Sequence, residues 1–269
     1  MKVSVVVPTY NQASYLPACL DSLWFQSHPD LEIVVVNDGS ADETARVIDE
    51  YLRRIESDKA SFASFYDPAS DVLERVHHPR YPSAGREIRV ITHPENKGLA
   101  AALNTGFGAA AGEACTYVPS DDWCMPDMLL ELDRALSETP ADFAYCDMLI
   151  VDDAFRVSRR FDLPDYSFRR SFADWYLCGD AKLYRRELHE RFGYYDEALL
   201  AHDHDLFLRF AMGGARFAHV AKALFCKRDH AGGREVHIHA PQNWRRLIGE
   251  SKRLVLKARE HLEKTGGAP

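Results

Sequence analysis

Two valine-rich runs near the amino terminus, each followed at once by polar residues, constrain the fold of this chain more than any other feature. The first run covers residues 3–7 and the second covers residues 33–36. Short apolar runs that end at turn residues are typical of strands buried on both faces of a parallel sheet. Residues 12–26 and 42–55 place apolar side chains at helical spacing. The chain therefore begins with strand, helix, strand and helix, which indicates an α/β fold.

The same alternation returns after an interruption. Strands are predicted over residues 88–92 and 114–118, and helices over residues 97–111 and 126–138. This order predicts a doubly wound, mostly parallel sheet of the Rossmann-like type, in which ligands bind at the carboxyl ends of the strands. Residues 56–87 contain three prolines and no clear period, so we expect an insertion loop there.

Beyond about residue 140 the predicted elements become shorter, which indicates a second lobe built onto the same sheet. Strands are predicted over 142–152, 156–161, 181–185, 216–220 and 223–227, and helices near 169–177, 186–192 and 203–213. We expect one domain over residues 1–240, with halves over 1–125 and 126–240, and an amphipathic C-terminal helix and tail over 241–269. This basic helix can dock on the domain, form a homodimer or contact an anionic membrane surface.

Composition excludes several classes of protein. The net charge of −8 argues against binding to nucleic acid. The six cysteines form no C-x-x-C pair, which favours reduced thiols over disulfides or a zinc knuckle. The chain has no P-loop sequence, and Gly106, Gly108 and Gly112 precede a predicted strand, which is the wrong order for a dinucleotide-binding loop. With no signal peptide and no apolar run of roughly 18 residues, we expect a cytoplasmic protein, at most peripheral to the inner face of a membrane.

Three predicted strands end in polar residues, over Pro8 to Asn11, Asn37 to Ser40 and Pro119 to Asp122. Each segment alone is compatible with a turn or a helix cap. Because the carboxyl ends of parallel strands meet at one edge of a sheet, we expect the three segments to lie together. The adjacent carboxylates of Asp121 and Asp122 repel each other, and a bound Mg²⁺ or Mn²⁺ relieves that repulsion. One of the two can instead cap the helix that follows.

In their order and spacing, these and later segments resemble the family 2 glycosyltransferases, which have the GT-A fold. The resemblance rests on Val3–Asn11, Gln26, Glu32–Ser40, Asn96–Leu99, Asn104, Ser120–Asp122, Arg185–Glu187, Gly193–Glu197 and Asp203–Leu206. It implies an inverting enzyme that moves a sugar from a nucleoside diphosphate, with a UDP-sugar favoured, to a hydroxyl of a saccharide or lipid-linked acceptor. Residues 1–125 would then bind the nucleotide, and residues 126–240 would face the acceptor.

The resemblance also implies roles for individual residues. The nucleotide would be bound by Pro8, Thr9, Tyr10, Asn11, Asp38, Gly98, Asn104, Ser120 and Asp121. The acceptor or sugar side would be formed by Asp122, Trp175, Gly179, Asp180, His202 and Arg228. Among the first group, Asp38 would accept a hydrogen bond from the base of the nucleotide.

This sequence departs from the family pattern at two positions, one in the metal signature and one beside the catalytic base. Asp121 matches the last carboxylate of the family's D-x-D metal signature, but Pro119 stands where the first carboxylate is expected. The metal, Mn²⁺ or Mg²⁺, would then be held by Asp121, Asp122 and His230. Asp203 matches the catalytic base, and His202 stands at the glutamate that precedes it.

Two other functions remain open at this stage. A metal-dependent hydrolase is compatible with the run of His202, Asp203, His204 and Asp205, which His230, His237 and His239 could supplement. A nucleotide-sugar-binding protein without catalysis is compatible with the altered Pro119 and His202. Retained zinc would favour the hydrolase, and turnover of a donor would exclude the non-catalytic protein.

Overall fold

A computed structural model describes most of the chain. It covers residues 1–154, 156–174, 176, 180–230 and 240–266, with the backbone alone over 61–67 and 72–76. The strands are β1 Val3–Thr9, β2 Leu31–Asn37, β3 Lys59–Asp67, β4 Val72–Pro79, β5 Arg86–Thr92, β6 Ala114–Tyr117, β7 Trp123–Cys124, β8 Phe143–Val151, β9 Val157–Phe161, β10 Lys182–Arg185 and β11 Phe217–Arg228. The α-helices are α1 Leu16–Trp24, α2 Thr44–Ser57, α3 Leu99–Ala109, α4 Met128–Glu138, α5 Glu187–Phe192, α6 His202–Met212 and α7 Pro241–Lys264, and a π-helix covers Arg169–Asp174.

One mixed sheet forms the centre of the described structure. Eight of its nine strands follow the order β5-β2-β1-β6-β10-β8-β11-β7. The ninth strand, β9, pairs with β8. Strands β5, β2, β1, β6, β8 and β11 all run in the same direction, because β10 is antiparallel to both of its neighbours β6 and β8. The predicted mostly parallel α/β sheet is therefore confirmed, and the second half of the chain extends the sheet begun by the first.

The valine-rich strands face both sides of this sheet. Val5 and Val7 pack into one apolar cluster together with side chains of α1, α2 and α4. Val6 packs into a second cluster, on the opposite face, with side chains of α3, α5, α6 and α7. In α3, a Cβ on Gly106 would stand 2.3 Å from Val6 Cγ1, so a glycine allows this helix to approach β1 closely. Helices cover both faces, as the doubly wound pattern requires.

The direction of the strands brings distant segments to one edge. The carboxyl ends of β1, β2, β6 and β11 point the same way. The last residues of these strands therefore lie at the same end of the sheet: Thr9, Asn37, Tyr117 and Arg228. Because β10 runs in the opposite direction, its first residue, Lys182, also lies at this edge. The candidate site is built from the segments that leave the sheet here.

Three details differ from the sequence predictions. Residues 56–87 do not form a loop, since β3 and β4 pair as an antiparallel hairpin that forms a separate two-stranded sheet. The two strands predicted over 216–220 and 223–227 are one strand, β11, with an irregular register between Val220 and Ala223. The short strand β7 was not predicted, and it extends the sheet beyond β11.

The C-terminal helix α7 docks on the domain, which was one of the three expectations for it. Its buried residues Leu254, Ala258 and Leu262 belong to the same apolar cluster as α6, and the helix also contacts the π-helix. Among the described residues, none of the helices has the length and apolar character needed to cross a membrane.

Candidate active site

Asp121 pairs with His230 at the carboxyl edge of the sheet. The loop that leaves β6 carries Asp121, and His230 follows the end of β11 by two residues. His230 Nε2 lies 3.0 Å from Asp121 Oδ2, and the ring of Tyr15 packs against the imidazole with centroids 4.4 Å apart. The Asp121 side chain keeps 16% of its surface exposed, whereas the His230 side chain keeps 1%. Asp121 is therefore the more accessible member of the pair.

Asp122 points into the protein instead. Its side chain is buried, and Oδ1 accepts a 2.8 Å hydrogen bond from the backbone N–H of Arg228. Burial raises the pKa of this carboxyl well above its usual value, and the nearby charges of Asp121 and Asp180 add to the effect. Asp122 thus ties the acidic loop to β11.

Arg228 is enclosed beneath the same loop. Its guanidinium lies 4.9 Å from the ring centroids of both Tyr15 and Trp123, an arrangement in which cation–π attraction is favourable. Its Nε donates a 3.1 Å hydrogen bond to the backbone carbonyl of Asp121. The Arg228 side chain, which the sequence predicts at the acceptor side, therefore holds the acidic loop in place.

Asp38 anchors the other part of the edge, at the end of β2. Its Oδ1 accepts a hydrogen bond from the backbone N–H of Lys97 at 2.9 Å, and its Oδ2 accepts one from Gly98 at 2.8 Å. The imidazole of His93 stands between two groups, with Nδ1 2.7 Å from Asp38 Oδ1 and Nε2 3.0 Å from Thr105 Oγ1. Gly98 has φ of 91°, a conformation that favours glycine, as the chain turns into α3. Asp38 thereby fixes the loop that precedes α3.

The predicted residues at the end of β1 occupy three different environments. Pro8 and Thr9 are buried, and Thr9 Oγ1 has no hydrogen-bond partner among the described residues. Tyr10 is 45% exposed. The side-chain oxygen of Asn11 accepts a 2.8 Å hydrogen bond from the backbone N–H of Ala41 and so holds the loop that follows β2. Of these residues, Tyr10 and Asn11 are exposed.

Two residues predicted to bind the nucleotide, Asn104 and Ser120, differ in their surroundings. The amide of Asn104 bonds both the backbone N–H and the carbonyl of Tyr195, at 2.9 and 3.0 Å, and it also donates to Glu197. Asn104 therefore pins the segment between α5 and α6 to α3. Ser120, on the loop after β6, is buried.

Asp203 lies in the first turn of α6, close to the end of β6. Its Oδ2 accepts a 2.7 Å hydrogen bond from the hydroxyl of Tyr117, and the side chain is half-buried. A carboxylate in the first turn also interacts favourably with the helix dipole. His202 is buried beside it, edge-on to the ring of Tyr195 at 5.5 Å between centroids.

The run from His202 to Asp205 does not form a cluster of ligands. His204 is buried and stacks on Tyr176 at 4.6 Å, and within the described part of the chain neither of its ring nitrogens has a hydrogen-bond partner. Asp205 pairs with Arg209. Over the described ranges, no group of three or more His, Cys, Asp or Glu residues is arranged to hold a metal. His237 and His239 lie outside the described residues.

The predicted acceptor side is described in part. Asp180 lies before β10, and its carboxylate pairs with Lys227 Nζ at 2.9 Å. Next to it, Lys182 is buried with Nζ 4.0 Å from the centroid of the Tyr117 ring. Trp175 and Gly179 lie outside the described residues.

Four residues of the site were not singled out from the sequence: Tyr15, His93, Tyr117 and Lys182. His93 and Tyr117 carry a usable signal, because one follows β5 directly and the other ends β6. The same rule that selected Asp38 and Asp121, polar groups where parallel strands end, would have found them.

Comparison with known proteins gives matches of sequence and of fold. Residues 4–61 and 63–193 match the sequence profile of Glycosyl transferase family 2. Glycosyltransferase GlyA of Streptococcus pneumoniae is 34% identical over 143 residues, which make up 53% of this chain and 16% of that protein. The structure of S. aureus TarS in complex with UDP-GlcNAc has a TM-score of 0.70 at 21% identity and covers 96% of this chain and 66% of that chain. Mannosyltransferase PcManGT from Pyrobaculum calidifontis, in complex with GDP-Man and Mn²⁺, has a TM-score of 0.64 at 18% identity and covers 100% of this chain and 76% of that chain.

The fold is therefore that of a GT-A protein. The chain belongs to glycosyl transferase family 2. It spans between 16% and 62% of the length of the curated relatives it matches. The matched profile ends at residue 193, before both Asp203 and His230.

Proposed function

We propose that this chain transfers a sugar from a nucleoside diphosphate, most readily a UDP-sugar, to a hydroxyl group of an acceptor, with inversion at the anomeric carbon. The observation that carries the proposal is the position of two carboxylates around β6. Tyr117 ends this strand and holds Asp203, and Asp121 follows four residues later. The proposed base and the proposed metal ligand are thus both connected to residues 117–121.

In this mechanism Asp203 accepts the proton of the attacking hydroxyl while the bond from the sugar to the diphosphate breaks. Tyr117 orients the carboxylate through the hydrogen bond to Oδ2. Asp38 and the loop it fixes at Lys97 and Gly98 would receive the base of the nucleotide. The developing oxocarbenium character of the sugar is expected by analogy with glycoside hydrolysis.

A divalent cation fits the residues near Asp121. Carboxylate oxygen is the kind of ligand that suits Mn²⁺ or Mg²⁺. Asp121 Oδ2 and His230 Nε2 are separated by 3.0 Å, and the Asp121 carboxylate is the more exposed of the two groups. We assign the ligand role to Asp121 and His230, and to Asp122 the role of holding the loop. When bound, the ion would neutralise charge on the departing diphosphate.

The proposed acceptor is a saccharide or a lipid-linked saccharide. Support for contact with a membrane comes from α7, where Arg245, Lys252, Arg253 and Lys257 are exposed away from the docked face. Basic residues on an amphipathic helix favour an anionic lipid surface. Sedimentation with vesicles of anionic and of neutral lipid tests this contact, and equal binding to both would contradict it.

A screen of UDP-, GDP- and dTDP-sugars, with and without Mn²⁺, tests the proposed reaction through release of the nucleoside diphosphate. We expect the variant Asp203→Asn to lose turnover and to keep its affinity for the free nucleoside diphosphate within about twofold, because the base contributes to chemistry and not to nucleotide binding. Failure of the wild type to turn over any donor while binding it would support the non-catalytic alternative. Loss of nucleotide binding in Asp203→Asn would make Asp203 a structural residue.

A further inference from the structure

Glu250 on α7 is the buried acid that lies farthest along the described chain, and it contacts the start of α6. Its side chain is 4% exposed, although the opposite face of the same helix is open to solvent. Its Oε2 accepts two backbone hydrogen bonds, from Leu200 at 2.7 Å and from Ala201 at 2.9 Å. A carboxylate buried in this way requires partners, and here the partners are the amides that lead into α6.

The start of α6 has no cap of its own. Ala201 occupies the N-cap position, and no side chain from that position bonds the first turn. Helices leave their first N–H groups without partners inside the helix, and a negative charge at that end is favourable. Glu250 therefore supplies from α7 what the local sequence of α6 lacks.

Arg246 completes the contact one turn earlier on α7. Its Nε lies 2.8 Å from Glu250 Oε1, and its other guanidinium nitrogen donates to the carbonyl of Ala198. Burial acts to raise the pKa of Glu250, but the hydrogen bonds from Ala201, Arg246 and Leu200 outweigh it, so the pKa is lowered. The carboxylate is thus held in its charged form, with both oxygens engaged on the segment before α6.

We propose that Glu250 is a positioning residue for the proposed base, so that the C-terminal helix α7 sets the geometry of Asp203. Asp203 lies two residues after Ala201, in the turn that Glu250 holds from one side and Tyr117 holds from the other. The inference rests on the proposed function, because it assigns to Glu250 the orientation of the group that removes the proton.

Amide hydrogen exchange gives a measure of this contact that does not depend on activity. The variants Glu250→Ala and Glu250→Gln are compared with the wild type and with Glu260→Ala, which removes an exposed acid from the same helix. We expect faster exchange over residues 198–206 in Glu250→Ala, with no change in Glu260→Ala. Glu250→Gln retains one acceptor oxygen, so its exchange rate over these residues should lie between those of Glu250→Ala and Glu260→Ala.

Kinetics with Mn²⁺ and the best donor among UDP-GlcNAc, UDP-glucose and GDP-mannose then separate positioning from folding. We expect kcat of Glu250→Ala to fall roughly 10- to 100-fold, because displacement of a reacting group by about 1 Å has effects of that size. KM for the donor and affinity for UDP or GDP should stay within about twofold. Glu250→Gln should lose less activity than Glu250→Ala, and Glu260→Ala should match the wild type.

Three results would overturn the inference. Wild-type kcat in Glu250→Ala would show that the base needs no help from α7, while the proposed function would stand. A parallel loss of kcat and of nucleotide affinity in both Glu250 variants would make Glu250 a residue of general stability. Failure of the wild type itself to turn over any of the three donors would remove the proposed function, and a local change in exchange would then report only a structural cap.

Discussion

The hydroxyl of Tyr117, the last residue of β6, donates a 2.7 Å hydrogen bond to Oδ2 of Asp203 in the first turn of α6. This bond joins the strand that leads to Asp121 with the helix that carries the proposed base. The two ends of the proposed reaction are therefore linked by one strand and one hydrogen bond, although Tyr117 and Asp203 are 86 residues apart in sequence.

Replacement of Tyr117 by phenylalanine should slow the reaction and change its pH dependence. A donor to a carboxylate favours the charged form, so its removal should move the acid limb of the kcat/KM profile to higher pH. We expect kcat to fall about tenfold near neutral pH, with nucleotide affinity preserved. The measurement is a pH–rate profile of both proteins. An acid limb at the same pH in both would show that Tyr117 does not influence the proposed base.

Asp121 and Asp122 should respond differently to the same change. Asp121→Asn should lower kcat roughly 100-fold or more and weaken Mn²⁺ binding in the presence of UDP, because it removes the accessible anionic ligand. Asp122→Asn should retain most of the activity, since an amide oxygen can still accept the hydrogen bond from the Arg228 backbone. Calorimetry with Mn²⁺ and UDP, together with kcat, measures both effects. Equal losses of kcat and of Mn²⁺ binding in the two variants would indicate that Asp122 is also a metal ligand.

His93 should affect donor binding through Asp38. Its ring stands 2.7 Å from Asp38 Oδ1 and braces that carboxylate against α3. In His93→Ala we expect the KM for the donor and the Kd for UDP to rise about five- to tenfold with little change in kcat, because the interaction acts on binding in the ground state. Thr105→Val serves as the matched control, since it removes the far end of the brace and should have a smaller effect.

Two buried histidines should make the fold sensitive to mild acid. Burial lowers the pKa of His189 and of His204 from 6.5 to about 4. Because the unfolded chain binds a proton more readily than the folded one between these values, the free energy of unfolding should decrease as the pH falls from 6.5 to 4. The decrease is on the order of 3 kcal/mol for each histidine.

Urea unfolding at several pH values measures this decrease. His204→Phe should remove about half of it, because Phe cannot take up a proton and still stacks on Tyr176. His77→Gln, at an exposed position of β4, should leave the pH dependence unchanged. A His204→Phe protein with the pH dependence of the wild type would mean that His204 does not titrate as its burial requires.

The sequence predicted the parallel strands well because burial on both faces leaves a visible pattern. Val5, Val6 and Val7 face alternate apolar clusters, and the runs of β-branched residues record that burial directly. The hairpin of β3 and β4 was missed because those strands pair with each other and not with the main sheet. Strands outside the main sheet are not expected to show the apolar run of a strand that is buried on both faces.

Within the site, the sequence located groups but not their directions. The sequence predicted that Asp121 and Asp122 lie near the carboxyl ends of the strands. It did not indicate which of these two neighbouring side chains points into the protein. The sequence placed Asn104 among the nucleotide-binding residues, but it gave no sign that this amide bonds Tyr195, 91 residues away. A pairing over that distance becomes visible only when α3 and the segment before α6 are packed together.

The place of β10 in the sheet bears on how such enzymes can be recombined. This strand comes from the second half of the chain, yet it is bonded on one side to β6 and on the other to β8. A chimera that exchanges residues 126–240 between two relatives would put a foreign β10 against β6, and it would have to reproduce the pairing of Tyr184 with Cys115 and of Leu183 with Ala144. Grafting the loops that follow the carboxyl ends of the strands leaves this pairing intact, so loop exchange is the better route to an altered site.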